Sequence, residues 1–172
     1  DGDADLAVAN WLSDDVSVHL GNGDGTFSSA VSYSAGDASC SVTNGDFDGD
    51  GDIDLAVANY DSDNVSILLG NGDGTFSSAV NYCAGSDPRS ITSSDLNDDG
   101  DIDLAVANDG SCDVSILSGN GDGTFTGAVN YYTGDRPYSV AGSDFDGDGD
   151  IDLAVANYYD TNVAILLGYG DG

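Results

Sequence analysis

Glutamate and lysine are wholly absent from this chain of 172 residues, and arginine occurs only at Arg89 and Arg136. The formal net charge is −30, and aspartate alone carries the acidity. Nothing in such a sequence could neutralise a row of phosphates, which excludes nucleic acid as a partner. An anionic membrane surface is disfavoured for the same reason. No apolar run approaches the ~20 residues of a membrane-spanning helix, so membrane insertion is not expected. There is no signal peptide and no initiating Met, and the chain reads as mature or as cut from something longer. Histidine occurs once, as His19, where the equivalent positions hold Leu. No Ser/His pairing, C-x-x-C or P-loop accompanies it, so the expectation is a protein that is not an enzyme. Glycosidase chemistry would need two differentiated carboxylates in a cleft, not carboxylates spread over repeated Gly-rich loops. Cysteine is scarce and odd in number: Cys40, Cys83 and Cys112.

What is present argues for a folded cation binder. Apolar residues make up 40% of the chain and fall in regular runs, which argues against a disordered acidic chain. Solvation alone would accept either acid, whereas tight turns and oxygen-ligand metal loops favour the short Asp. Glycine occurs 25 times against two prolines, which suggests many tight turns.

The chain repeats itself every 49 residues. "DLAVAN" stands at 5–10, 54–59, 103–108 and 152–157, and "GNGDGTF" at 21–27, 70–76 and 119–125. Each period reads as four short strands. In the second copy these are A at 39–47, B at 54–59, C at 65–70 and D at 76–82, with turns between them. Four short antiparallel strands at a period in the forties predict an all-β fold of β-propeller blades. An open β-repeat array, such as a solenoid, is the structural alternative. The boundaries expected are a partial blade at 1–37 (strands B–D), blades at 38–86 and 87–135, and a partial blade at 136–172 (strands A–C). About 3.5 blades result, so the chain reads as a window on a longer array or as a unit completed by neighbours.

The acidic stretch between strands A and B has fixed spacing. Asp46, Asp48, Asp50, Asp52 and Asp54 occupy positions 1, 3, 5, 7 and 9, with Gly51 at 6. The third copy has Asp95, Asn97, Asp99, Asp101 and Asp103; the fourth has Asp144, Asp146, Asp148, Asp150 and Asp152; the first is cut to Asp1, Asp3 and Asp5. Alternate short oxygen ligands let a tight loop wrap one hard cation, with the residue at 7 offering its carbonyl and the carboxylate at 9 closing the shell. Many flexible carboxylates favour calcium over magnesium. An EF-hand would carry Glu at position 12, where Val57 stands here. A run of Asx turns with no ion is the alternative. Asn97 in place of a carboxylate predicts weaker binding in the third copy.

On these motifs, "DFDGDGDIDLAVANYDSDNVSILLGNGDGTFSSAV" resembles an FG-GAP/VCBS repeat, as found in integrin α-subunit propellers and many bacterial surface and secreted proteins. The resemblance covers essentially the whole chain. It implies a β-propeller, commonly of seven blades, with calcium in the A–B loops at the Asp and Asn positions above, and an extracellular or cell-surface location. Three full periods cannot close a seven-bladed ring, and the copies are unusually alike, which fits a regular array or fibre as well.

Strand order puts the acidic loops and the "GNGDG" turns on one edge of the blades, and the B–C turns and D–A links on the other. All three cysteines fall on that second edge, where a Cys83–Cys112 disulfide is one reading and small buried hydrophobes the other. "NVS" makes Asn64 a glycosylation candidate there. Three functions stay open. The first is a calcium-stabilised structural or adhesive module. The second is a glycan-binding lectin using Trp11, Tyr60, Tyr138, Tyr158 and Tyr159, a series that Asp109 interrupts. The third is a fibre subunit that repeats the blade contact between chains.

Overall fold

The computed structural model describes residues 2–170 and contains four antiparallel sheets in series. The first holds β1 (Leu6–Asn10), β2 (Asp15–His19) and β3 (Val31–Ser34). The second holds β4 (Ser39–Gly45), β5 (Asp54–Asn59), β6 (Asn64–Leu68) and β7 (Val80–Cys83), in that spatial order. The third repeats this with β8 (Pro88–Ser94), β9 (Asp103–Asn108), β10 (Asp113–Leu117) and β11 (Val129–Tyr132). The fourth holds β12 (Pro137–Ser143), β13 (Asp152–Asn157) and β14 (Asn162–Leu166). These are blades of a propeller and not coils of a solenoid: each sheet is a meander of sequential neighbours, and sheets meet face to face.

The core lies between blades. In β5 and β9 all six residues of "DLAVAN" are buried, because both faces of strand B are covered. Ala56, Ala58, Val65 and Ile67 of the second blade pack on Leu104, Val106 and Leu117 of the third. The third blade repeats this with Ala105, Ala107 and Val114 against Leu153 and Val155 of the fourth. Small Ala side chains on one face and larger Leu and Val on the other let sheets approach closely without voids.

Strands C and D end differently from the sequence expectation. C stops at Leu68, and D is only Val80–Cys83, because Phe76 pairs with Gly70 through one isolated bridge before the chain turns off. Asn64 belongs to β6 and not to the preceding turn.

The last residue of "DLAVAN" supplies a polar brace that the motif alone does not announce. Asn59 is fully buried and donates from Nδ2 to Asn64 Oδ1 and Ser66 Oγ, both at 2.8 Å. Ser66 Oγ in turn donates to Asn81 Oδ1, which ties strands B, C and D. Ser39 Oγ completes the set by donating to Asn59 Oδ1 at 3.0 Å. Pro88 and Pro137 stand where Ser39 stands, and the buried Oδ1 atoms of Asn108 and Asn157 lack a partner there. A proline has no donor to offer, so the structure carries the cost at those two points.

Candidate metal centre

Each acidic loop is shaped by its own carboxylates. Asp46 accepts from Gly49 N at 2.8 Å and Gly51 N at 3.0 Å, Asp48 from Asp50 N at 3.2 Å, and Asp50 from Asp52 N at 2.8 Å. The fourth loop repeats all four bonds with Asp144, Asp146 and Asp148 as acceptors. Gly51, Gly100 and Gly149 adopt φ of 91°, 94° and 105°, a backbone state that disfavours any side chain. The Asx turns and the carboxylate cluster are therefore the same object: the turns aim the remaining lone pairs inward.

Asp46, Asp48 and Asp50 bring one oxygen each within 4.8 Å of one another, and so do Asp144, Asp146 and Asp152. Calcium–oxygen bonds of about 2.4 Å allow ligand atoms up to about 4.8 Å apart across one ion, so these donors fit that cation. In the third loop Asp95 Oδ1 is buried with no hydrogen-bond partner, an acceptor left for a cation. Asn97 donates from Nδ2 to Asp99 Oδ2 at 2.9 Å, so a neutral donor there offsets part of the charge. Asp1 lies outside the described residues.

The carboxylate at position 9 has a second task that its spacing did not announce. Asp54 is 1% exposed and accepts Phe47 N on Oδ2 and Gly70 N on Oδ1, both at 2.7 Å. Asp103 and Asp152 repeat this with Leu96 and Gly119, and with Phe145 and Gly168. Asp5 likewise accepts from Gly21 N. This residue is a brace that joins the end of strand A to the end of strand C across the start of B. Among the described residues only Asp152 also joins a carboxylate cluster. Position 7 packs sideways: Asp52 and Asp101 lie against Gly72 and Gly121 of the "GNGDG" turns, where a Cβ would collide with them.

Burial pushes Asp54 and Asp103 above the ordinary carboxylate range, against the pull of their two backbone donors. Asp152 goes the other way, held low by Gly168 and Phe145 N–H. It is as inaccessible as the others, but no following blade thickens the protein around it.

The opposite edge gathers the two basic side chains. Asp109, 2% exposed, receives Arg136 Nε on Oδ1 at 2.5 Å and Nη2 on Oδ2 at 2.8 Å, with Arg89 Nη2 at 3.7 Å. Arg89 also lies over Tyr138, Tyr60 and Trp11, at 4.5, 4.9 and 5.8 Å from the ring centres, and Arg136 over Tyr159 at 5.2 Å. Tyr158 touches both Tyr138 and Tyr159. All five aromatic residues singled out in the sequence thus meet, and Asp109 is the anchor of their arginines and not a gap in the series. The arginines themselves were missed. The available signal was the 49-residue register, which aligns Arg89 with Cys40 and Tyr138. Each of these three sits at the register shift where strand A pairs with B, a bulge that re-aims its side chain.

The disulfide expectation needs correction. Cys40, Cys83 and Cys112 are all free thiols. Cys112 takes a left-handed φ of 61° at the position where Asp14 and Asp63 bind the next link, and Cys83 is exposed on an outer strand. Cys40 donates to Pro88 O at 3.1 Å, and burial pushes its thiol up to about 11, so it is inert. The Asn64 sequon is also less open than a turn position implies. Asn64 Oδ1 is bonded to Asn59, and Ser66 is fully buried.

The family model for the FG-GAP-like repeat matches at residues 1–57, 46–106 and 95–155. The chain belongs to the FG-GAP-like repeat family. Solved structures share its fold. An Agrocybe aegerita lectin described as recognising non-reducing terminal N-acetylglucosamine is 20% identical, with a TM-score of 0.56 over 99% of this chain and 54% of the lectin. BBS1N, solved in complex with ARL6DN, is 16% identical, with a TM-score of 0.64 over 96% of this chain and 53% of that one. A Tc holotoxin pore of Photorhabdus luminescens matches at 16% identity and a TM-score of 0.53, over 94% of this chain and 8% of that one. The chain spans about half the length of the first two. No curated protein matches it.

Proposed function

We propose that this FG-GAP repeat unit is a non-enzymatic, calcium-binding extracellular module with a structural or adhesive role. The observation that carries the reading is the convergence of Asp46, Asp48 and Asp50, and of Asp144, Asp146 and Asp152, to separations that suit one hard cation. These residues would hold calcium, with Asp95, Asn97 and Asp99 forming the weaker third site. The ion supplies positive charge to loops that otherwise repel themselves, so its binding adds to folding free energy. The braces at Asp54, Asp103 and Asp152 transmit that order to strands A, B and C. Weak, charge-rich loop sites suit millimolar extracellular calcium. Calorimetric titration of the ion-free chain tests the reading. Saturable binding is expected, with the third site weakest; absence of binding at millimolar calcium overturns it.

A second reading, a glycan-binding surface, is favoured by the opposite edge. Trp11, Tyr138, Tyr158 and Tyr159 are 39–65% exposed around Arg89 and Arg136, and aromatic faces beside charged donors suit sugar rings. A similar fold serves the Agrocybe aegerita lectin. A glycan array decides: binding lost on Tyr158→Ala supports this reading, and a flat array leaves the scaffold role alone.

A further inference from the structure

The "GNGDG" turn recurs unchanged at 21–25, 70–74 and 119–123, although it adds no apolar side chain to the core. It is a stiff unit. In the third blade Asn120 N donates to Thr124 O at 3.0 Å and Asn120 Nδ2 to Thr124 Oγ1 at 2.9 Å. Asp122 Oδ1 accepts Thr124 N at 3.0 Å and Thr124 Oγ1 at 2.5 Å. Asp24 and Asp73 repeat this pair of bonds with Thr26 and Thr75.

This stiff turn abuts the acidic loop of the preceding blade. Gly123 N donates to Phe47 O at 2.9 Å, across the joint between the third and second blades. A Cβ on Gly123 would lie 3.3 Å from Asp48 Cβ and 2.9 Å from Leu69 Cδ1, and one on Gly49 would lie 3.6 Å from Gly121 O. The turn therefore touches Phe47, Asp48 and Gly49, the segment between the outer two members of the Asp46/Asp48/Asp50 cluster. The positions of Gly49 and Gly121 meet again one repeat on, where a Cβ on Gly170 would lie 2.9 Å from Asp98 Oδ2. The loop's own blade holds it further along, through Asp52 against Gly72. The second loop is thus clasped between two turns, one from its own blade and one from the next.

We propose that the "GNGDG" turn of the following blade is a positioning element for the cation loop, so that calcium in the second loop also orders the turn of the third blade. The inference rests on the calcium reading above and deepens it. The brace at Asp54 acts within one blade, whereas this contact carries order across a joint. Asp48 is the residue through which it acts, because its carboxylate belongs to the cluster and its Cβ lies against Gly123. Glycine is needed at 123 twice over, for a φ of 79° and for the close approach of Asp48 and Leu69. Linkage makes the effect reciprocal: whatever the turn contributes to ion affinity, the ion returns as stability of the turn.

The test is amide hydrogen exchange by NMR on the 172-residue chain, in chelator and in millimolar calcium. Calcium should slow exchange at Gly123 N by about tenfold, and Asp48→Asn should remove that slowing. Gly74 N is the control: it is the equivalent amide, no loop carbonyl accepts it among the described residues, and it should show no such change. The converse is read by calcium titration at Gly51 N, inside the second loop. Asp122→Ala strips Thr124 of its acceptor and should lower the affinity of that loop by about fivefold. Asp122→Asn loses the same exposed charge but keeps an acceptor oxygen, and should stay within about twofold of the wild type. Circular dichroism checks that each variant folds; if Asp122→Ala does not, the Asp48→Asn comparison decides alone. Slowing at Gly123 that survives Asp48→Asn, or equal losses in the two Asp122 variants, overturns the proposal. Calcium binding by calorimetry with no change at Gly123 overturns it while leaving the metal reading in place; no binding at all removes both.

Discussion

The acidic-loop edge and the opposite edge are built from the same 49-residue repeat and have diverged unequally. The three complete loops keep an oxygen side chain at positions 1, 3, 5, 7 and 9, and the single exchange is Asn97. On the other edge, one equivalent position carries Trp11, Tyr60, Asp109 and Tyr158 in turn. The difference is physical. A set of carboxylates that shapes its own loop, converges within it and also braces three strands has no spare position. A turn that only closes a hairpin can change, and here it changed into a cation–aromatic cluster with its own counter-ion.

If the second edge is held by its one ion pair cluster, breaking the anchor should give the largest single effect. Asp109→Ala leaves both guanidinium groups without their carboxylate. A fully buried pair would cost about 3–5 kcal/mol, but the arginine side chains are 24% and 39% exposed, so about 2–3 kcal/mol is expected by chemical denaturation. The loss should be the same with calcium or chelator.

Two aspartates of one loop should behave differently. Asp54→Asn exchanges one of the two acceptor oxygens for a donor, leaves either Phe47 N or Gly70 N without its partner, and should cost about 2 kcal/mol even in chelator. Asp48→Asn should cost nothing in chelator and lower only the calcium-dependent gain. Equal behaviour of the two variants would erase the distinction between brace and ligand. Ser39→Ala, which strips the partner from Asn59 Oδ1, should cost about 1 kcal/mol, again without regard to calcium.

The pH dependence sharpens the same contrast. Burial raises Asp54 and Asp103, so between the ordinary value near 3.9 and their raised values the folded chain holds more protons than the unfolded one. Stability of the ion-free chain therefore falls as pH rises through that window. Asp24, Asp73 and Asp122, held low by the threonines two residues on, act in the opposite sense, but their contribution is lost only below the ordinary value. The ion-free chain should accordingly lose melting temperature as pH rises from the ordinary carboxylate value through the window opened by these two residues. The calcium-dependent gain should shrink as pH falls through the same interval, because protons compete for the loop carboxylates.

Much of this was legible in the sequence. The exact repeat announced blades, and "DLAVAN" announced a strand buried on both sides, because Leu and Val alternate with Ala and no residue between the flanking Asp and Asn is polar. The loop spacing announced the convergence of carboxylates seen in the second and fourth loops. What stayed hidden depended on contacts between distant residues. Nothing local says that Asp54 accepts both Phe47 N and Gly70 N, since the spacing of position 9 speaks only of the loop. The Asn59–Ser66–Asn81 tie needs the strand register, in which Asn59 sits beside Asn64. Arg89 and Arg136 converge on Asp109 only once three blades are stacked, which no spacing rule encodes.

The central claim is that the loop edge is completed by calcium while the opposite edge completes itself. Thermal unfolding of the wild-type chain at pH 7, in chelator and then in millimolar calcium, tests it most directly. The account predicts a melting temperature that rises with calcium and falls back on chelation, with magnesium much less effective. Superimposable melting curves with and without the ion would contradict it.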